Sequence, residues 1–318
     1  LKSQKVKDVI ERIGHQNPDL VKPALGPKEP WAYRNKMQMP VGGTKGDIQM
    51  GFYAMGSHDI VQGTNCPIQD EGNNIIAKAC YQLAKEFDIE PYDEHTGKGV
   101  LRHIIGRIGQ SGWMIILVTA TEQLPHKEKW VENLTERIPQ VETIVHNVNG
   151  KRTNVILGPK NNILYGDGTI TDHIKDLQFT LSPHSFFQVN PEQTTVLYDQ
   201  ALEYANLKGD ETVIDAYCGT GTISLFLAHK AKHVIGIEIV EPAIINAREN
   251  SKRNGYDNTE FIVADAAVEM PKLYKAGVRP DVIVFDPIRA GCKEEVLTSA
   301  AGMEPKRIVY VSCNPATM

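Results

Sequence analysis

The second half of the sequence alternates short apolar runs with amphipathic segments. The runs TVIDAY (212–217), HVIGIEI (233–239) and DVIVFD (281–286) have the length and composition of buried strands. Helix-like segments such as TISLFLAHKA (222–231) separate them. Strands that alternate with helices form parallel sheets covered by helices on both faces. The sequence therefore predicts an α/β fold with a doubly wound, Rossmann-like sheet over residues 181–318.

The first half follows a different pattern. Strand-like runs joined by glycine-rich turns surround one clear helix, which is typical of a smaller α+β domain. We therefore predict two domains, an N-terminal helix with a central α+β domain over residues 1–180 and the doubly wound domain over residues 181–318. The predicted elements of the first half are the helices LKSQKVKDVIERIG (1–14) and NNIIAKACYQLAKEF (73–87) and the strands WAYRNKMQMPV (31–41), IQMGFYAM (48–55), GWMIILVTA (112–120) and TNVILG (153–158).

Charge and cysteine content limit the partners of this chain. The net charge of −5 gives no overall attraction to nucleic acid, so an RNA partner has to be held by a local basic face. The five cysteines are scattered without a CxxC pair, which favours a reducing compartment, and we predict the cytoplasm. No apolar run has the length of a membrane span, so no membrane partner is expected. Nothing implies a protein partner, and we expect a monomer.

A glycine loop follows the first strand of the doubly wound part. In VIDAYCGTGTIS, Gly219 and Gly221 allow backbone to approach a ligand where a side chain would collide. Ser224 stands where the dinucleotide fingerprint has its third glycine, which disfavours NAD. Glu238 and Asp265 end the next two strands, placed to accept hydrogen bonds from ribose and adenine, although either could instead cap the following helix. Together these features favour an adenosyl cofactor without a pyrophosphate.

Two reactive side chains follow the last two strands. Asp286 ends one strand, and Cys313 follows the next, so both should face the same cleft. A thiolate there could add to C6 of a pyrimidine, after which C5 would accept an activated methyl group. The alternative is that Cys313 only fills space, as most free cysteines do. Cys80, Cys218 and Cys292 are predicted to be packing residues.

Five motifs in this order resemble the bacterial uracil-5 RNA methyltransferases, which use S-adenosylmethionine. The resemblance spans almost the whole chain, including WAYRNKMQMPV and LRHIIGR (101–107) in its first half. The motifs are HSFFQVNPEQ (184–193), DAYCGTGTISLFLA (215–228), GIEIVEPAIINARENSKRNG (236–255), DVIVFDPIRAGC (281–292) and IVYVSCNPATM (308–318).

The resemblance implies an enzyme that methylates C5 of a uridine in RNA, with 23S rRNA as the expected substrate and Cys313 as the nucleophile. The alternatives are a tRNA uridine-5 methyltransferase and a non-catalytic RNA-binding fragment. An amino-group methyltransferase would need an aromatic residue after Asp-Pro, where Ile288 stands. The predicted cofactor-binding residues are Gln188, Tyr217, Gly219, Gly221, Thr222, Glu238, Asp265 and Asp286.

The sequence departs from the family pattern in three places. Ile288 replaces the second proline that the family usually has after Asp286-Pro287. The family's general base, a glutamate, lies well beyond the nucleophile, whereas this sequence ends five residues after Cys313. The family's N-terminal β-barrel RNA-binding domain is also missing. We therefore expect a piece of a longer protein, incomplete at both ends.

Cys66, which precedes Pro67, matches the fourth cysteine of the [4Fe–4S] cluster found in many members of the resembled family. One thiolate cannot hold a cluster that needs about four. We therefore expect a cluster only in a longer protein, with Cys66 as its fourth ligand, and none in this chain. The alternative is that Cys66 is a lone cysteine near solvent without a role, since some family members lack the cluster.

RNA contacts are predicted in the first half. WAYRNK and LRHIIGR interleave aromatic and basic residues, which can stack bases and meet phosphates. The alternative is the ordinary polar alternation of a half-solvated strand. The target uridine should be extruded from its RNA into the cleft.

Overall fold

A computed structural model describes the whole chain, Leu1–Met318, and divides it into two compact units. One unit combines Leu1–Pro27 with Glu192–Met318, and the other is Lys28–Pro191. The predicted division at residue 180 kept the N-terminal helix with the central domain. In the structure this helix, α1 (Lys2–Arg12), contacts the 3₁₀ turn Pro315–Thr317 and so belongs with the C-terminal part.

The unit Lys28–Pro191 contains a seven-stranded sheet and a separate hairpin. The strand order is β3-β2-β1-β4-β5-β6-β7, antiparallel throughout except for the parallel pair β5 and β6. This arrangement confirms the predicted α+β pattern. The sheet strands are β1 (Lys36–Thr44), β2 (Asp47–Tyr53), β3 (Ile60–Gln62), β4 (Leu101–Ile108), β5 (Trp113–Thr119), β6 (Val141–Val148) and β7 (Lys160–Tyr165), and the hairpin is β8 (Ile170–Ile174) with β9 (Leu177–Leu181).

Two helices pack on this sheet. Asp70 precedes helix α2 (Glu71–Glu86) and caps it, because its side chain accepts a hydrogen bond from the Gly72 amide. Helix α3 (Lys127–Arg137) forms the crossover between the parallel strands β5 and β6. The apolar faces of both helices meet the sheet in one core, in which Trp130 is fully buried.

The segment TNVILG, predicted as a strand, is irregular in the structure, so that prediction is wrong. Its carbonyl groups are bound by side-chain amides of two buried asparagines rather than by a neighbouring strand. Asn149 Nδ2 donates to the carbonyls of Val155 and Ile156 at 2.6 and 3.0 Å. Asn147 Nδ2 donates to the Gly158 carbonyl and its Oδ1 accepts from the Gly158 amide, both at 2.8 Å. Because these backbone groups already have hydrogen-bond partners, the segment needs no neighbouring strand.

In the structure, the strand predicted over WAYRNKMQMPV begins five residues later than the sequence suggested. Strand β1 starts at Lys36, and Trp31 before it is 57% exposed. The preceding residues are held by backbone bonds from Ala32 to the Pro67 carbonyl and from Arg34 to the Ile68 carbonyl. The aromatic residue at this end is therefore outside the sheet.

The other unit contains a five-stranded parallel sheet in the order β12-β11-β10-β13-β14. The chain runs outward from the central strand to one edge and then returns to build the other half. This is the doubly wound topology predicted from the sequence, and its reversal lies between β10 and β13, where such folds bind ligands. The strands are β10 (Thr212–Ala216), β11 (His233–Glu238), β12 (Thr259–Val263), β13 (Val282–Phe285) and β14 (Arg307–Tyr310).

Helices connect each strand of this sheet to the next. Those after β12 and β13 pack together on one face, in a core with Ile214, Ile237 and Phe285. The opposite face buries Ile244 and Ala247 against Phe261. The helices are α4 (Pro191–Ala205), α5 (Thr222–Ala228), α6 (Glu241–Arg253), α7 (Ala266–Lys275) and α8 (Glu294–Gly302). None of the helices in the molecule combines the length and apolarity needed to cross a bilayer.

Replacing Asn147 by Ala should lower the free energy of unfolding of the Lys28–Pro191 unit by about 2–3 kcal/mol. The substitution leaves the buried amide and carbonyl of Gly158 without partners. Trp31, Trp113 and Trp130, the three tryptophans of the chain, all lie in this unit, so urea denaturation followed by tryptophan fluorescence reports on it alone. Asn133→Ala, which removes a solvent-exposed side-chain hydrogen bond to the Lys129 carbonyl on α3, should shift stability by less than about 0.5 kcal/mol. Equal effects of the two substitutions would contradict the assigned role of Asn147.

Candidate active site at the carboxyl edge of the parallel sheet

A tight loop joins β10 to α5 and opens the candidate site. Tyr217, Gly219 and Gly221 all have positive φ, at 73°, 55° and 81°. Such a φ costs a tyrosine energy, and strain of this kind concentrates at functional sites. A Cβ on Gly219 would meet nothing within 4 Å, so open space lies beside this residue. A Cβ on Gly221 would lie 3.1 Å from Ala247 Cβ, so Gly221 also permits close packing of α6.

Glu238, the last residue of β11, reaches this loop. Its Oε2 accepts from the Gly219 amide at 3.2 Å, and its Oε1 accepts from the Val240 amide at 2.9 Å. These bonds fix the carboxylate at the edge of the sheet. A carboxylate can accept about four hydrogen bonds, so Glu238 retains capacity for the hydroxyl groups of a ribose.

Asp215 is a buried acid that sequence reasoning missed. It lies within β10 with no exposed surface, and its Oδ2 accepts from Ser224 Oγ of α5 at 2.5 Å. Its Oδ1 has no partner. Burial, and to a smaller extent the charges of Asp286 and Glu238, raise the pKa of Asp215 to about 7. An acid inside the apolar run TVIDAY, followed nine residues later by Ser224, was the available signal.

Asp286 follows β13, and burial raises the pKa of its carboxyl to about 6. Three carboxyl groups, those of Asp215, Glu238 and Asp286, therefore share the centre of this edge, close enough for their charges to interact. Like charges held together in a low dielectric disfavour ionisation. The arrangement suits a cationic ligand, which would relieve this repulsion.

Asp265 follows β12 and already has two partners. Its Oδ1 caps α7 by accepting from the Ala267 amide at 2.9 Å, and its Oδ2 pairs with Lys293 Nζ at 2.9 Å. These bonds lower the pKa of Asp265, with the bond from Lys293 contributing most. The structure thus realises the capping alternative, and contact of Asp265 with adenine stays a prediction.

Cys313 lies after β14, next to the strand that carries Asp286. The two strands are parallel neighbours, with Phe285 opposite Tyr310. The loops that follow are joined as well, because Thr317 Oγ1 donates to the Arg289 carbonyl at 3.1 Å. Gly291 has φ 85°, and a Cβ there would lie 2.5 Å from the Thr317 carbonyl oxygen. The turn that carries Cys313 and the loop after Asp286 therefore form one packed element.

The cysteines divide into exposed and packed thiols. Cys313 is exposed, whereas Cys80 and Cys218 are buried, and burial raises the pKa of both buried thiols. Cys292 is half-buried and, like Tyr310, packs against the core of the parallel sheet. The burial of Cys80 and Cys218 confirms that these two cysteines are packing residues, as predicted. Cys313 is the thiol most accessible to a substrate.

The remaining predicted site residues lie in different places. Thr222 begins α5, and its Oγ1 is 3.1 Å from Tyr198 Oη of α4. Burial raises the pKa of Tyr217, and the neighbouring Cys292 adds to the effect. Gln188 is half-buried in the unit Lys28–Pro191. Their contacts with a cofactor stay predictions.

Cys66 lies in a turn, where its amide donates to Asn74 Oδ1 at 3.0 Å. No set of three or more His, Cys, Asp or Glu side chains in the chain is grouped as metal ligands would be. The residues present therefore do not fit a four-iron cluster, and a ligand role for Cys66 stays a prediction.

A parallel sheet in this strand order, with a glycine loop after its central strand and acidic side chains at the following strand ends, defines an S-adenosylmethionine-dependent methyltransferase. A family model described as a methyltransferase domain matches residues 207–316. The predicted fold class is thereby confirmed.

Relatives along the full chain narrow the class. An uncharacterized RNA methyltransferase of Halalkalibacterium halodurans is 52% identical over all of this chain and 70% of its own length. Another from Clostridium acetobutylicum is 48% identical, again over all of this chain and 70% of the relative. The chain belongs to this family of bacterial RNA methyltransferases.

Among solved structures, the tRNA (uracil-54, C5)-methyltransferase of Pyrococcus abyssi, in complex with S-adenosyl-L-homocysteine, is similar along the whole chain. The match has a TM-score of 0.81 and 25% identity, and it covers 99% of this chain and 73% of that one.

Replacing Asp215 by Asn should change how stability depends on pH. The folded pKa near 7 lies above the unfolded value of about 3.9, so the wild-type acid favours folding below pH 4 and loses this advantage as pH rises to about 7. Wild type should therefore lose roughly 1.4 kcal/mol per pH unit relative to Asp215→Asn within this window, measured by urea denaturation with circular dichroism. The amide can still accept from Ser224.

Asp281→Asn is the matched control, because the bond from Lys306 lowers the pKa of Asp281. There the wild-type carboxylate stabilises the fold above pH 4, and this contribution is lost as pH falls. A difference between wild type and Asp215→Asn that does not vary with pH would show that Asp215 is ionised throughout.

Proposed function

We propose that this protein methylates C5 of a uridine in RNA, with Cys313 as the nucleophile. The observation that carries the proposal is the exposed Cys313 thiol, which follows the strand next to the one that precedes Asp286, at the edge where the glycine loop opens. Methylation of a ring carbon requires that carbon to become nucleophilic first, and a thiol can achieve this by covalent addition. The name of the Pyrococcus abyssi neighbour supports the same position on the base.

A single thiol is sufficient for the proposed methyl transfer to C5. The Cys313 Sγ anion forms a bond to C6, and the electrons of the C5–C6 double bond move to C5. C5 then forms a bond to the methyl group, which leaves its sulfonium with the electron pair on sulfur. Removal of the C5 proton restores the double bond and expels the thiolate. The resemblance assigns this last step to a glutamate that acts as general base.

The cofactor, when bound, supplies an electrophilic methyl group on a positively charged sulfur. The carboxyl groups of Asp215, Glu238 and Asp286 give this edge of the sheet a negative potential, which favours a cation over a neutral ligand. Glu238 is held by the Gly219 amide beside open space and is assigned to the ribose hydroxyls. The demethylated product, which has lost the positive charge on sulfur, would bind less tightly, which assists its release.

The proposed substrate is 23S rRNA, which is what the resemblance to the bacterial uracil-5 RNA methyltransferases implies. A specific observation favours tRNA as the second candidate, since the solved structure similar along the whole chain is named as a tRNA methyltransferase. Methylation of 23S rRNA and of tRNA would use the same chemistry at the same site. A single trapping experiment with both RNAs can therefore separate the two candidate substrates.

RNA substituted with 5-fluorouridine should form a covalent complex with the protein that depends on Cys313. Fluorine at C5 cannot leave as a proton, so the thioether persists after methyl transfer. Cys313→Ala should abolish the complex, seen as a shifted band in denaturing gels, whereas Cys292→Ala should retain it. Trapping of a 23S rRNA transcript but not of tRNA supports the proposed substrate, and the reverse supports the alternative.

Trapping by the Cys313→Ala protein, or its loss only in Cys292→Ala, would assign the nucleophile to another thiol. A wild-type protein that forms no complex with either RNA in the presence of cofactor would contradict uridine-5 chemistry altogether.

Glu238→Ala should weaken binding of S-adenosylhomocysteine by roughly tenfold or more in calorimetry. A charged acceptor lost from two ribose hydroxyls is worth about 1.5–3 kcal/mol. Glu260→Ala is the control, since this exposed acid on β12 lies away from the loop and pairs with His233 at 3.7 Å. Unchanged affinity in Glu238→Ala, or tighter binding of NAD than of the methyl donor, would remove the cofactor assignment.

A further inference from the structure

Two cations lie directly opposite each other in the seven-stranded sheet. Lys36 begins β1, and its register partner on the antiparallel strand β4 is Arg107. Like charges in this arrangement destabilise a sheet. Arg34 adds a third cation, with its Nε donating to the Lys36 carbonyl at 3.0 Å. Folding alone gives no reason for this arrangement.

The chain does not neutralise these charges. Arg107 is only 4% exposed, and it donates to the Ser185 carbonyl, but its Nε has no partner. Lys36 is half-buried beside this group, and the charge of Arg107 acts on it. The acid that faces the group is Asp172, whose Oδ1 already accepts from the His173 amide at 2.8 Å.

The pKa values of Lys36, Arg107 and His184 reflect this surplus of positive charge. Burial, with the charges of Arg107 and Arg34, lowers the pKa of Lys36 to about 7. Burial also lowers the pKa of Arg107 to about 10, against the opposing effect of Asp172. Burial and the charges of Arg107 and Lys36 lower the pKa of His184. An anion bound here would raise each of these pKa values and so oppose the shifts.

The surroundings indicate where an anion can bind. The cavity between Lys36, Arg107 and Asp172 has about 10 Å³, too little for a phosphate, so the anion has to lie outside it. His184 is exposed at this point, and Phe186, two residues on, is 69% exposed. An exposed aromatic ring beside cations is the combination that binds a base and its phosphate together.

We propose that Lys36 and His184, backed by the buried Arg107, bind a backbone phosphate of the substrate RNA, with Phe186 available to stack a base. This site rests on the proposed function, because it identifies where in the unit Lys28–Pro191 an RNA substrate is held. It also explains how a chain of net charge −5 attracts a polyanion. The repulsion between Lys36 and Arg107 is retained because phosphate binding relieves it.

Lys36→Met should weaken binding of the substrate RNA about tenfold and reduce its salt dependence. Loss of one phosphate contact lowers the slope of log K against log salt by about 0.7 for a single strand. Lys36→Arg should restore most of the affinity. Lys45→Met is the control, since Lys45 is an exposed lysine in the same unit that pairs with Asp88. Because Lys36→Met also removes the repulsion with Arg107, its melting temperature should rise rather than fall.

Amine labelling separates RNA from a free anion as the occupant. At pH 7.5, Lys36 should react with a succinimidyl ester faster than a lysine of ordinary pKa, and bound RNA should protect it. Inorganic phosphate should protect only at far higher concentration. Protection by phosphate at the concentration effective for RNA, with unchanged RNA affinity in Lys36→Met, would make this a free-anion site and overturn the proposal.

The trapping experiment with 5-fluorouridine distinguishes this proposal from the proposed function. Lys36→Met at saturating RNA should still form the complex through Cys313. If wild type is trapped and Lys36→Met matches it in affinity and salt slope, the phosphate site is wrong while uridine-5 methylation stands. If wild type is never trapped but Lys36→Met weakens RNA binding, the phosphate site stands and the chemistry is wrong.

Discussion

The hydrogen bond from Ser224 to the buried Asp215 holds the candidate active site in shape. It ties helix α5 to β10, the central strand of the parallel sheet, on either side of the glycine loop. Glu238 completes the arrangement by fixing the Gly219 amide from the neighbouring strand. The loop is thus held at both ends by acidic side chains, and its strained Tyr217 is kept in place by the structure around it. These hydrogen bonds fix the loop in the conformation that leaves open space beside Gly219.

The protein separates its charges according to the ligand each unit is proposed to bind. Carboxyl groups gather at the carboxyl edge of the parallel sheet, where a cationic methyl donor is expected. Cations gather at the start of β1, where a polyanion is expected. Each group is destabilised by its own repulsion, and each is relieved by a ligand of the opposite sign. The small net charge of the chain conceals this division.

Much of this structure could be predicted from the sequence, for identifiable physical reasons. Parallel strands such as Val282–Phe285 are buried on both faces, so they appear as continuous apolar runs. Ligands collect at strand ends, and this rule located Glu238, Asp286 and Cys313. The segment 153–158 was mispredicted because its partners are side chains of Asn147 and Asn149, which follow no periodic pattern. The pairing of Lys36 with Arg107 depends on strand register, which a single sequence does not specify.

The close approach of Gly291 to Thr317 limits how this family can vary. Gly291 carries no chemistry, yet its left-handed backbone and the carbonyl 2.5 Å from its missing Cβ leave room for no other residue. Any larger side chain would displace the turn that carries Cys313. Mutational drift at this glycine should therefore be as restricted as at Cys313, the proposed nucleophile. Invariance alone would wrongly mark it as a ligand contact.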